Sequence, residues 1–456
     1  MTGDLTGSEP SSASEANRFS AVESDRISGL ASDSAHALDS KPDPLHVGVV
    51  VYGDLETTSG GFRYDREVIR RLRERGDTVD VISLPWRRYS AGLRDAFDPT
   101  VRDRLDRDVD VLIEDGLCHP AVWRHNRALV GPDAVVALLH HLRSDDPTER
   151  FGALARPFER RFLRSVDAAV TTSQFTRERA ARIEPSASTP TLVARPAGRA
   201  EGPATTPTAV RARAETGPLH VVFVGNVIPR KDPMTLLAAL ARLDDDSLAG
   251  RESRAAGSGV SRSPNTPDWR LTVVGSHDAA PAYAERVVDR AAALGLDDRV
   301  SFVGELSDDE LTETFADAHV CCVPARYEAF GMVHLEAIEH GVVPVAGAVG
   351  GTAEFVRDGV NGFLVEPDDD RAIADRLRAL ATDRGRLAEL GVAALSTAET
   401  HPTWAETTDR FRAFLDSVSS DTTDRGQRGQ RVRGGRDGRG GRGGRGSRSI
   451  TRGDRS

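Results

Sequence analysis

The chain has 456 residues, 39% hydrophobic and 29% charged, with a formal net charge of −10. That balance fits a soluble globular protein of roughly two or three domains. It excludes a membrane-spanning bundle, because no apolar run approaches the roughly 18–20 residues that a bilayer needs. The cysteines are Cys118 and the adjacent Cys321 and Cys322; their spacing matches neither CxxC nor a metal site, and Cys321 and Cys322 read as small buried hydrophobes. The expected location is the cytoplasm.

Residues 1–44 are rich in Ser, Asp and Ala without apolar periodicity, and read as a disordered leader rather than a signal peptide. From Leu45 short apolar runs alternate with helical stretches. "HVGVVVYG", "TVDVISLP", "DVDVLIED", "AVVALLHH", "DAAVTTS" and "TLVARPAG" read as six buried parallel strands of a domain spanning 45–198. Between the first two lies "GFRYDREVIRRLRERGD", helical in period and closed by Gly76. Residues 199–218, with Pro, Thr and Ala, break the pattern as a linker would.

A second series follows over 219–398: "LHVVFVGN", "RLTVVGS", "RVSFVGEL", "VCCVPA", "VVPVAGA" and "GFLVEP". Asp244 to Asp268 interrupts it as a polar loop. The expectation is α/β, with two doubly wound Rossmann-like domains facing each other and disordered tails at both ends. A final helix over 399–420, around Trp404, precedes a disordered Arg/Gly-rich tail over 421–456. From Asp424 onward that tail holds 11 Arg against 3 Asp, so the rest of the chain is strongly acidic. A body so acidic and almost without lysine resembles the proteins of high-salt organisms.

The most informative stretch is "PARYEAFGMVHLEAIEHGVVPVAG", Pro324 to Gly347. An apolar strand end leads through the loop "RYEAFG" into a helix closed by Gly341. In an open parallel sheet the carboxyl end of such a strand faces the ligand crevice. A helix starting there presents free N–H groups and the positive end of its dipole to an anion. Phe330 and Gly331 lead into that helix, and Gly331 lets the backbone approach closely, so Gly331, Met332 and Val333 are placed to hold a diphosphate. Glu336, about a turn and a half further on, is within reach of a ribose hydroxyl pair. Glu328, before the helix, can accept hydrogen bonds from a sugar.

Glu328 and Glu336, with "AFGMVHL" between them, resemble the paired glutamates of family 4 glycosyltransferases of the GT-B fold. The downstream run "EAIEHGVVPVAGAVGGTAEFVRDGVNGFLVEP" looks like that family's strand, Gly-Gly loop and acidic residue, here Gly350, Gly351 and Glu354. The resemblance covers roughly Leu45 to Val418. It implies retaining transfer from a nucleotide-diphosphate sugar (UDP- or GDP-linked, the base left open) to a hydroxyl acceptor on a glycan, a lipid-linked molecule or a small molecule. It also implies no obligatory metal or other cofactor, and a last helix packed back toward the first domain.

Within that resemblance "FVGNVIPRKDP" matches the element of the second domain that binds the donor diphosphate, with Gly225, Asn226, Arg230 and Lys231. Lys231 is one of two lysines among 60 basic residues; the other, Lys41, lies in the leader. A departing diphosphate gains negative charge in the transition state, and positioned cations favour that state. Arg230 offers a flat bidentate fork, Lys231 a slimmer point charge on a flexible stem. Many relatives place arginine where Asn226 stands, so Arg230 is expected to supply the second cation. In the first domain "YGDLETTSGGFRYDREV" looks like the glycine-rich loop near donor and acceptor, with Gly60 and Gly61 in the matching places. "VVALLHHLRSDDP" resembles the strand end with the active-site histidine, matched by His140, with His141 as the alternative.

Asp106, Asp108 and Asp110 in "LDRDVDVLIED" are reminiscent of a DxD metal site, but they precede a strand and so lie at its wrong end. "RGGRDGRGGRGGRGSRS" resembles RNA-contacting RGG segments, without the interleaved aromatics that strong stacking needs. The helix around Arg63 to Arg75 carries six Arg against three acids, a composition open to peripheral contact with an anionic membrane on the inner face. Two other readings stay open: a sugar-phosphate synthase of the same fold, and a non-catalytic RNA-associated protein acting through its tail.

Overall fold

The computed structural model describes residues 43–186, 189–244 and 267–434, with side chains followed to Thr422 in the last segment. Each of the twelve apolar runs holds a strand. β1 (His46–Tyr52), β2 (Thr78–Leu84), β3 (Val111–Asp115), β4 (Ala134–Leu139), β5 (Ala168–Thr171) and β6 (Thr191–Val193) form one parallel sheet, ordered β2-β1-β3-β4-β5-β6. β7 (Leu219–Val224), β8 (Trp269–Val274), β9 (Val300–Gly304), β10 (Val320–Val323), β11 (Val343–Gly347) and β12 (Phe363–Val365) form a second, ordered β12-β11-β10-β7-β8-β9. The expected α/β architecture of two doubly wound sheets is what the chain adopts.

The strand orders explain where a ligand can sit. In the first sheet the winding reverses between β1 and β3, in the second between β7 and β10. At such a point consecutive connections leave toward opposite faces, and a crevice opens beyond the carboxyl ends of the strands. The loops after β1, β7 and β10 are those the sequence singles out.

Helix α1 (Gly60–Arg75) starts at Ser59, whose hydroxyl accepts from Phe62 N, and ends at Gly76 in the left-handed region, φ 101°. The first domain's core includes β1, β3, α1 and, from the far end of the chain, Trp404, Phe411, Leu415 and Val418. Those four lie on one face of the last helix, whose Arg412 Nε sits 2.9 Å from buried Asp77. Helix Trp404–Gly434 therefore packs on the first domain. It also continues through 421–434, where the sequence predicts disorder. The leader, the centre of the polar insertion and the tail beyond 434 lie outside the described residues.

One element departs from the linker reading of 199–218. Pro207–Ala214 form a helix capped by Thr206, whose hydroxyl accepts from Ala209 N. It packs on the second domain, with Val210 buried and Arg213 donating to the carbonyls of His340 and Gly341 at 2.9 and 2.8 Å. A Pro at its first turn and apolar positions at Val210 and Ala214 were the local signal.

β3 takes two acids into the interior. Glu114 is fully buried, accepts from Asn126 Nδ2 at 2.7 Å, and is pushed by burial up to about 8. Because the folded value lies above the unfolded one, its favourable contribution is complete below about pH 4.5 and is lost as pH rises toward 8. Glu114→Gln is therefore expected to match the parent in stability near pH 4.5. It should become progressively more stable up to about pH 8, by a few kcal/mol, and level off above. Denaturant titrations across that range give the slope directly.

Candidate functional site

The carboxyl ends of both sheets meet at a cleft, and most of the predicted residues gather there. After β7, Gly225 adopts φ 144°, a conformation few side chains tolerate. It lies against the stem of Lys231, whose Cε is 3.5 Å from where a Gly225 Cβ would stand. Buried Asp232 closes this turn, accepting from Thr235 Oγ1 at 2.7 Å and Arg326 Nε at 3.1 Å. The Arg326 N–H donates to the Arg230 carbonyl at 2.9 Å, so the loops after β7 and β10 are stitched together across the reversal point.

That stitching brings the cations to Glu328. Lys231 Nζ donates to Glu328 Oε2, and Arg230 Nη1 lies 3.9 Å from the same oxygen. Arg230 also donates to the Tyr327 carbonyl at 3.0 Å. Burial opposes the charge on Glu328, but Lys231 and Arg230 beside it hold its carboxyl down at about 2. The site thus contains a part-buried, charge-compensated lysine–carboxylate pair with a guanidinium alongside.

The Gly-Gly loop after β11 presses on the same strand end. A Cβ on Gly350 (φ 142°) would stand 1.8 Å from the Glu328 carbonyl oxygen, and one on Gly351 2.3 Å from that of Ala329. Gly351 N donates to Glu328 O at 2.9 Å. Glu354 is turned elsewhere: it accepts from Phe175 N (2.9 Å) and Arg195 Nε (2.8 Å), tying the two domains together.

Gly331, φ 94°, is the N-cap of the short helix Met332–Glu339, and no side chain caps it. The helix start lies beside the Lys231–Glu328 pair, with Glu328 Cγ 3.3 Å from where a Gly331 Cβ would stand. Met332 meets the first domain here, its Sδ 3.8 Å from the Cβ position of Gly60. The side chains of Phe330 and Val333 pack against hydrophobic clusters. Phe330 packs at a tilt on Phe355 (5.0 Å) in a buried cluster, and Val333 packs on the second core.

Glu336 is nearly buried between two arginines. Arg63 of α1 donates to Oε1, and Arg199 Nε lies 3.3 Å from Oε2. A turn further, Glu339 accepts from Ala200 N at 3.0 Å, and burial raises it to about 7. One helix therefore engages both the first domain and the segment joining the domains.

From the first domain, Gly61 lies against His140, the ring 3.6 Å from its Cβ position. His140 Nε2 is 2.7 Å from Asp65 Oδ1, one turn along α1. Burial opposes protonation of this imidazole, but the Asp65 carboxylate raises its pKa overall. His141 faces a different set. Its ring stands edge-on to Tyr327 (5.2 Å), its Nε2 is 3.6 Å from Asp146, and burial together with Arg230 holds it down at about 4. The adjacent histidines thus have distinct states, a charge-favoured His140 by the glycine loop and a neutral His141 by Arg230.

Several of these residues escape a reading of motifs. Asp65 had a signal: it falls on the apolar stripe of α1 with Phe62, Val68, Ile69 and Leu72, where an acid is out of place. Arg63, Asp146 and Arg199 had none, because their partners are distant in sequence. Asp106 accepts from Val130 N and Gly131 N, and Asp110 from His46 N, at the opposite end of the first sheet.

The model for glycosyl transferases group 1 matches residues 209–396. Among curated proteins, the chain is 32% identical over 203 residues to a D-inositol 3-phosphate glycosyltransferase of Nocardia farcinica, covering 43% of this chain and 41% of that one. Its counterpart in Stackebrandtia nassauensis is 37% identical over 188 residues, covering 41% and 39%. The match thus spans about two-fifths of the length of these relatives. Among solved structures, a sucrose-phosphate synthase from Thermosynechococcus elongatus superposes with TM-score 0.68 at 19% identity, over 83% of this chain and 100% of that one. Anabaena HepE in complex with UDP-glucose gives 0.62 at 17%, over 82% and 100%. The two-sheet architecture is the GT-B fold of these structures.

Proposed function

We propose, from the match of residues 209–396 to the glycosyl transferases group 1, that this chain moves a sugar from a nucleoside-diphosphate sugar to a hydroxyl acceptor with retention at the anomeric carbon. The observation that carries the reading is the pairing of Lys231 with Glu328, with Arg230 alongside, beside the uncapped start of the Gly331 helix. A diphosphate entering between the loop and the helix start takes over the lysine as its counter-ion. Glu328 is then released to accept from hydroxyls of the donor sugar. Glu336 turns from its arginines to the ribose, and His140 lines the sugar from the opposite domain. Nearby Anabaena HepE was solved with UDP-glucose, which supports a nucleotide sugar as co-substrate.

In the transfer step the bond from the anomeric carbon to the phosphate oxygen breaks as the acceptor oxygen bonds to that carbon on the same face. The acceptor proton passes to the departing phosphate. Arg230, Lys231 and the helix N–H groups stabilise the charge that grows there, an effect present chiefly in the transition state. No covalent intermediate on the protein is required.

A phosphorylated acceptor is a second reading, favoured by the relatives named as inositol-phosphate glycosyltransferases and the structural neighbour named as a sucrose-phosphate synthase. UDP or GDP at a hundred times its Kd is expected to stabilise the protein by about 2.7 kcal/mol, seen as a rise in Tm. A panel of UDP- and GDP-sugars with neutral and phosphorylated acceptors should then yield product with the donor's anomeric configuration by NMR. If no nucleotide moves Tm and no donor is turned over, the reading is wrong.

A further inference from the structure

The helix that follows the His140 loop carries an arginine surface outside the cleft. Helix Gly152–Leu163 is buried along Gly152, Ala155, Glu159, Phe162 and Leu163. Its outer stripe, with Arg156, Arg160, Arg161 and Arg164 at spacings of about one turn, joins Arg182 at the end of helix Gln174–Ile183 to line a groove of about 580 Å³. Residues 150–186 hold eight arginines against four acids in a chain of net charge −10, and two of those acids, Glu159 and Glu184, are buried. At the start of the stripe stand Phe151 and Leu154, 64% and 67% exposed.

The guanidiniums are fixed rather than loose. Arg160 and Arg164 share Glu184, Arg156 donates to the Arg182 carbonyl at 2.9 Å, and Arg161 lies over the Trp123 and Phe158 rings at 5.6 and 5.5 Å. Each holds one edge against the protein while remaining exposed at the surface. In helix α1, the more arginine-rich in sequence, Arg63, Arg71 and Arg75 expose only 16%, 15% and 28% of their side chains, against 48% and 46% for Arg160 and Arg164.

We infer that this face of the first domain is a docking surface for an anionic lipid bilayer, with the arginine groove meeting headgroup phosphates and Phe151 and Leu154 entering the interface. Clustered arginines beside exposed apolar side chains on one helix are the pattern of an interfacial helix. A nucleic acid would use the charge but has no need of an exposed leucine. The inference is independent of the transferase reading, since its measurement is lipid partition alone.

The test is co-sedimentation of the full chain with phosphatidylcholine vesicles, with and without phosphatidylglycerol, at low and high salt. Binding is expected only with phosphatidylglycerol and should weaken with salt. Each positive charge near an anionic leaflet multiplies binding about fivefold, so Arg156→Gln/Arg161→Gln should lower it about 25-fold. Phe151→Ser/Leu154→Ser should lower it at least about tenfold with less change in salt dependence, and Tm identifies any variant that fails to fold. Partition unchanged in both folded variants overturns the inference. So does equal binding to neutral vesicles, loss of binding only on removing residues 435–456, or complete displacement by poly(U).

Discussion

Lys231→Met is expected to lower kcat for sugar transfer at least about a hundredfold while changing the donor KM much less. The residue is well placed to act late in the reaction. Its ammonium is paired with Glu328 in the free protein and only 13% of its side chain is exposed, so it is preorganised and poorly hydrated. A bound diphosphate already carries charge, but the departing one carries more, and a fixed cation follows that difference. Removing it leaves Arg230, 3.9 Å from Glu328, as the neighbouring cation, which is why the protein should fold with a modest loss in Tm. Lys231→Arg is expected to recover no more than about a tenth of the rate. The stem runs against Gly225, where a planar guanidinium cannot take the place of a slim ammonium. Single-turnover measurements on folded protein separate the chemical step from binding. An unchanged kcat in Lys231→Met removes the lysine from the transfer step.

Gly350→Ala is expected to cost on the order of 3–4 kcal/mol of stability and most of the activity. At φ 142° an added Cβ is strained, and it would stand 1.8 Å from the Glu328 carbonyl oxygen. The clash meets backbone, not a side-chain end that could swing aside, so the loop after β11 or the strand end that carries Glu328 must move. Gly359→Ala is the control: φ is 69°, but nothing stands within 4 Å of its Cβ position. The expected loss there is about 1 kcal/mol, from backbone strain alone. Denaturant unfolding of the two variants separates steric clash from conformational preference. Equal losses would show that the close approach of Gly350 to Glu328 carries no energetic weight.

How much of this was legible beforehand follows from the range of the interactions. The central strands could be read because a parallel strand buried on both faces is a near-continuous apolar run, and "HVGVVVY" or "VCCV" has no other comfortable environment, while the partly exposed edge strands β2, β6 and β9 were legible from their alternating β-branched and apolar residues. Lys231, Glu328, Gly331 and Gly350 could be read because each owes its role to neighbours a few residues away, at a strand end, a turn or a helix start. The linker helix at Pro207 went unseen because eight residues of weak amphipathicity are helical only through the surface they pack on.

By itself, then, the order of residues determined two doubly wound domains, the strand ends that bear the glycines and charges, and the cation and carboxylates to watch. The tertiary structure alone decided their pairing. It joined Lys231 to Glu328 across 97 residues, Arg63 to Glu336 across 273, and His140 to Asp65 across 75. It also gave adjacent histidines opposite protonation tendencies, drew Arg63 and Arg71 of α1 inward and left Arg160 and Arg164 half exposed at the surface. The reason is physical: local sequence sets backbone conformation within a turn or two, whereas charge, burial and pKa depend on whatever the fold brings within a few ångströms.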